Sequence, residues 1–145
     1  MAKLIATRGM QYPLFAEFTF TFDDTMVDIA GVTKDFLTVG STVVDCINLP
    51  VNAVVVSGSV TTETAVGGST AYNVSVGDSA STTRYLGVTN RVAAGTTPLV
   101  PTGYVSLGEQ IRVTVTPTVA DATAGKVTVR VEYIIRNRVN ETQTQ

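Results

Sequence analysis

Apolar residues recur at every second position along much of this chain. Over residues 14–22 the even positions Leu14, Ala16, Phe18, Phe20 and Phe22 are apolar, while Glu17, Thr19 and Thr21 are polar. A strand points successive side chains to opposite faces, so this spacing predicts a strand with three phenylalanines on one side. Residues 53–66 place Val54, Val56, Val60 and Val66 on one face and Ser57, Ser59, Thr61 and Glu63 on the other. Gly58 interrupts that run and predicts a bulge or bend. Tyr72, Val74 and Val76 align over residues 71–77, and Ile111, Val113 and Val115 over residues 109–116. Residues 126–135 set Val127, Val129, Val131, Tyr133 and Ile135 against Lys126, Thr128, Arg130 and Glu132. Weaker alternation marks residues 26–29, 42–47, 84–87 and 97–100. No dozen residues carry the i, i+3, i+4, i+7 spacing of an amphipathic helix, so the chain reads as all-β, with about eight short-linked strands in a sandwich.

The expected core follows from parity: Phe18, Phe20, Val54, Val56, Tyr72, Val74, Val113, Val115, Val129 and Val131. Parity also bears on the connection at Gly67-Gly68. A two-residue loop there would set inward residues against outward ones, whereas a three-residue loop ending at Ser69 pairs Val66 with Thr70 and Val60 with Val76. The expectation is a tight hairpin between residues 53–66 and 71–77.

Composition agrees with the pattern. Val and Thr make up about a third of the 145 residues, and both are β-branched and suited to a pleated surface. A chain of this length fits one domain, able to bury roughly 70% of the surface it would expose unfolded. Only 15% of residues are charged and the net charge is −2, which argues against nucleic acid as a partner. The aromatic residues fall on inward strand positions rather than beside arginines, the opposite of a base-stacking platform. Up to position 80 there are 3 basic and 8 acidic residues, net −5, and beyond it 7 basic and 4 acidic, net +3. In a sandwich the two halves interleave, so this asymmetry need not become surface patches.

Catalytic chemistry finds few candidates. The chain has no His, which removes the commonest general base and metal ligand and the usual triads. Gly77-Asp78-Ser79 resembles the opening of a hydrolase motif that needs a His, and reads instead as a turn. Asp23, Asp24 and Asp28 match no EF-hand spacing and read as a solvated turn, and Val66-Gly-Gly-Ser-Thr70 lacks the Lys of a phosphate loop. Cys46, the lone cysteine, sits among Val43, Val44 and Ile47 and reads as a small buried hydrophobe. The Asn73 and Asn140 sequons read as accidental. The expectation is a non-enzyme with no cofactor and no metal. The apolar stretch at residues 4–6 is too short for a signal peptide, and no run approaches the ~18 apolar residues of a membrane span. A reducing cytoplasm, or release from one by lysis, is the expected setting.

Several stretches carry a resemblance: Ala6-Thr-Arg-Gly-Met-Gln-Tyr-Pro13, Ile47-Asn-Leu-Pro-Val-Asn-Ala-Val-Val-Val-Ser-Gly58, Val76-Gly-Asp-Ser79 with Arg84-Tyr-Leu-Gly87, and Ala124-Gly-Lys-Val-Thr-Val-Arg-Val-Glu-Tyr133. Together they resemble small decoration (cement) proteins of tailed-bacteriophage capsids. The resemblance implies a jelly-roll-like antiparallel β-sandwich of about eight strands on the outer capsid surface, assembled in the host bacterial cytoplasm. It also implies dimers or trimers that bridge neighbouring major capsid protein subunits; from composition and the lack of a long apolar run, no nucleic-acid or membrane partner is expected. A fibre-associated or receptor-binding virion module is the alternative. The expected organisation is an N-terminal arm over residues 1–13, a sandwich over 14–136 and a polar tail over 137–145. Leu4, Ile5, Met10 and Tyr12 in the arm, with Arg136 and Arg138 near the tail, are the candidate assembly contacts. One tension stands: consecutive jelly-roll strands usually lie in opposite sheets, whereas parity favours a hairpin at Gly67-Gly68.

Overall fold

A computed structural model describes residues 12–136. Among them the chain forms ten strands: β1 (Leu14–Thr21), β2 (Thr25–Val27), β3 (Thr33–Asp35), β4 (Thr42–Asn48), β5 (Ala53–Gly67), β6 (Ala71–Gly77), β7 (Leu86–Asn90), β8 (Gly95–Pro98), β9 (Gln110–Thr118) and β10 (Ala124–Ile135). One antiparallel sheet runs β1-β10-β5-β8, a second β4-β9-β6-β7, and β2 and β3 pair separately. With that small hairpin set aside, the eight main strands in chain order lie first-eighth-third-sixth against second-seventh-fourth-fifth. This is the strand order of a jelly roll.

A single core fills the space between the sheets. Phe20, Val60, Val127, Val129 and Val131 enter it from one sheet, and Val44, Tyr72, Val74, Val76, Ile111, Val113 and Val115 from the other. Phe36, just after β3, is brought in with its ring centroid 4.4 Å from that of Phe20. Tyr72 is buried with its ring, and its hydroxyl donates to the Phe36 carbonyl at 2.8 Å, so the one polar atom of this large side chain is satisfied.

Two expectations are corrected. Val54 and Val56 are only half-buried, and Ala53 and Val55 occupy the core instead. The cause is a bulge: Gly58 pairs with Val131 and Ser57 with Glu132, but Val55 pairs with Tyr133, so Val56 is an extra residue that reverses the alternation. Gly58 itself is needed because a Cβ there would come within 2.4 Å of the Arg130 carbonyl and 2.6 Å of Leu99 Cδ1.

The hairpin is the second correction. β5 and β6 lie in opposite sheets, as the jelly roll requires. The Gly67-Gly68 segment crosses between sheets rather than turning back, and it passes tightly beneath residues 121–123. A Cβ on Gly68 would sit 2.5 Å from the Asp121 carbonyl, and the Thr123 amide donates to the Gly67 carbonyl. Ser69 completes the crossing by donating to the carbonyls of Ala71 and Thr118.

Candidate assembly surface

The jelly-roll register brings the first and last described residues, Tyr12 and Arg136, to one end of the sandwich. Leu14 at the start of β1 pairs with Tyr133 near the end of β10. Ile135 pairs with Ala53, and the Arg136 amide donates to the Asn52 carbonyl at 2.8 Å. The same end carries the β4–β5 turn at residues 49–52, the connection at 78–85 and the long β8–β9 connection at 99–109. Tyr12 and Arg136 are both exposed there. Leu4, Ile5, Met10 and Arg138 lie outside the described residues.

Side-chain hydrogen bonds organise two of these loops. In the first, Asp78 is buried and its carboxylate accepts from the amides of Ala80 and Ser81 while pairing with the Arg84 guanidinium. This folds the loop back over Gly77, where a Cβ would lie 2.0 Å from the Ser81 carbonyl. Gly77-Asp78-Ser79 is thus a turn held by the Asp78 carboxylate. Arg84 also sits 3.6 Å above the Tyr104 ring, which links this loop to the second.

In the second loop Glu109 is the hub. Its carboxylate accepts from the Tyr104 hydroxyl at 2.6 Å, the Leu107 amide at 2.7 Å and the Ser106 hydroxyl at 3.2 Å. These partners favour the charged form, the Tyr104 hydroxyl most of all, and hold the Glu109 carboxyl down to about 2. Ser106 is tied in turn to the β4–β5 turn: its amide donates to Ala53 and its carbonyl accepts from Asn52.

Apolar side chains stand exposed on this scaffold. Leu107 is 77% exposed and Val51 57%, while Tyr12 and Phe15 are about three-quarters exposed near the start of β1. Sequence reasoning missed Val51, Leu107 and Phe15. The available signal was an apolar residue inside turn chemistry, in Leu49-Pro-Val-Asn52 and Ser106-Leu-Gly-Glu109, where a polar residue would ordinarily stand.

The outer face of the first sheet carries Phe15 beside Glu17 and Arg130 and is otherwise largely polar. Thr19 and Thr61 are hydrogen-bonded to Thr128 and Thr96, and Glu17–Arg130 and Glu63–Lys126 form ion pairs. Away from this face, Asp24 accepts from the Thr21 amide and Asp28 from the amides of Ala30 and Val32. These carboxylates serve as turn acceptors. Cys46 is half-buried at a bulge in β4, donates to the Ile111 carbonyl, and burial pushes its thiol up to about 12. It is an unreactive thiol.

No family model and no curated protein matches the chain. Solved structures do. A chain of the cyanophage Pam1 capsid asymmetric unit superposes with a TM-score of 0.57 at 20% identity, over 92% of this chain and 94% of that one. The fold is one that phage capsids contain. The acid-stable capsid of Helicobacter pylori bacteriophage KHP30 holds a chain similar at TM-score 0.60 and 18% identity, over 91% and 92% of the two. The capsid of Ralstonia phage GP4 holds another, at 0.56 and 13%, over 86% and 84%.

Proposed function

We propose that this chain is a phage decoration, or cement, protein that binds the outer surface of the head and stabilises contacts between major capsid subunits. The observation that carries the reading is the end-to-end correspondence in length and fold with chains of three phage capsids. Each match covers nearly all of both partners, so the likeness is to a small separate chain of a capsid, not to one segment of a large one. A protein of this kind acts by repetition: many copies, each making a modest contact, add up to avidity on a shell.

In this reading residues 14–136 are the rigid module, residues 1–13 an arm and residues 137–145 a tail. The arm, through Leu4, Ile5, Met10 and Tyr12, packs on a neighbouring subunit, and Arg136 and Arg138 pair with carboxylates of the shell. No step needs a cofactor or catalysis. Imaging of the parent particle tests it: hundreds of copies at regular positions on the head are expected, whereas tens of copies at the tail fibres would favour a receptor-binding module.

A further inference from the structure

An edge strand offers unpaired backbone groups that another strand can take up, so folded proteins keep such edges short, irregular or covered. Three edges of the two main sheets follow that rule. β8 is four residues long and ends in Pro98. β7 is five residues long with a break in its register against β6, and β4 carries a bulge and has its Val43 carbonyl taken by the Ile29 amide. β1 departs from it. It runs for eight residues in unbroken register with β10 and contains neither Pro nor Lys. The Phe22 amide donates to the Gly125 carbonyl, which continues that register and turns the backbone groups of the even residues toward β10. The odd residues therefore point theirs away. Those of Thr21 are taken by Asp24, whose carboxylate accepts from the Thr21 amide at 2.7 Å and whose amide donates to the Thr21 carbonyl. Those of Phe15, Glu17 and Thr19 have no partner among the described residues.

We propose that the free edge of β1 pairs with β1 of a second copy of this chain, the two strands running antiparallel about a two-fold axis at Glu17. An open edge recognises another extended backbone, and the sequence of this edge fits itself. With Glu17 opposite Glu17, Phe15 of each copy faces Thr19 of the other, so every free position meets a free position and exchanges both bonds with it. Moving the axis by one residue would set Thr19 against Pro13, which has no amide hydrogen, or Phe15 against Thr21, which is already bonded. The side chains agree with the same axis. Ala16 and Phe18, only partly buried along this edge, come opposite each other, and Phe15, 75% exposed, comes opposite Thr19, so each ring meets a small neighbour. The one unfavourable contact is Glu17 with itself, and Arg130, 3.2 Å from the carboxylate within each copy, moderates it. The pairing uses described residues alone and does not depend on the capsid role proposed above.

The test uses the full chain in solution. Sedimentation over a range of concentrations is expected to show a monomer passing to a dimer, and amide exchange followed by NMR to show Phe15, Glu17 and Thr19 slowing by about tenfold or more in the dimer. A chain that stays monomeric, or a dimer in which those amides exchange as fast as in the monomer, would overturn the proposal. Glu17→Pro removes the central donor without removing a bond to β10, since that amide points away from it. It is expected to weaken the dimer by about tenfold or more, with an unchanged melting temperature at dilutions where both chains are monomeric. An undiminished dimer would overturn the pairing; should this variant fail to fold, the exchange measurement on the natural chain decides. Glu17→Gln removes the facing charges and is expected to tighten the dimer by about two- to fivefold. An equal or weaker dimer would overturn the axis at Glu17.

Discussion

At the residue scale, a few side chains do work that composition does not reveal. Glu109 is one of them. Its carboxyl is held from an ordinary value of 4.5 to about 2, first by the Tyr104 hydroxyl and then by backbone amides. The unfolded chain therefore binds this proton more readily than the folded one, so Glu109 stabilises the fold fully above pH 4.5 and less as the pH falls toward about 2. Glu109→Gln is expected to melt lower than the natural chain at neutral pH, and melting curves should show the gap narrowing across that acid window. In the core, Phe20 stacks on Phe36 and Phe18, and Phe20→Ala is expected to cost about 3–5 kcal/mol in urea unfolding, from lost contacts and the cavity left behind. Ser79→Ala and Cys46→Ala are expected to leave head binding intact, because the turn is carried by the Asp78 carboxylate and the thiol is held protonated.

At the element scale, strands were legible and their partners were not. Alternation marked β1, β5, β6, β9 and β10, and weaker runs overlap β2, β4, β7 and β8; β3, three residues long, left too little pattern to read. Parity says which residues of a strand share a face. It cannot say whether two such strands lie side by side or face each other across a core, since both arrangements set apolar residues together. That is why Gly67-Gly68 read as a hairpin loop although it is a crossing between sheets. The passage from β7 to β8 is another of the crossings between sheets, and Arg91 secures it. Its buried guanidinium donates to Thr62, Thr97 and the Gly95 carbonyl, and burial lowers its pKa. Arg91→Ala is expected to destabilise the fold by about 2 kcal/mol, the lost charged hydrogen bonds being partly offset by relief of the buried charge. Urea unfolding of the variant measures it.

At the scale of the whole molecule, the charge asymmetry of the chain disappears into the fold. Acidic residues of the first half meet basic residues of the second in Glu17–Arg130, Asp45–Arg112, Glu63–Lys126 and Asp78–Arg84. Three of these pairs join neighbouring antiparallel strands, β1 and β5 with β10 and β4 with β9. The end of the sandwich that carries Tyr12 and Arg136 also carries exposed Val51 and Leu107. Deleting residues 1–11 is expected to leave a folded domain with reduced self-association or head binding, whereas deleting residues 141–145 changes little, because exposed ion pairs contribute only about 0–1 kcal/mol each. Sedimentation with purified heads measures both.

The sequence by itself determined the class of fold, most of the strands and most of the core, because a period of two is a local property of the backbone and survives in the order of residues. It also pointed to the absence of the usual catalytic sets, through a chain without His. Tertiary structure alone decided three things: the inward turn of Ala53 and Val55, the separation of β5 from β6, and the meeting of Val51 with the Leu107 loop. Each depends on contacts between residues distant in the chain: an extra residue opposite β10, the close approach of Gly68 to Asp121, and the hydrogen bonds from the Asn52 amide to the Ser106 carbonyl and from the Ser106 amide to the Ala53 carbonyl. Alternation within a strand carries no record of such contacts, because the partner that sets them lies on another strand.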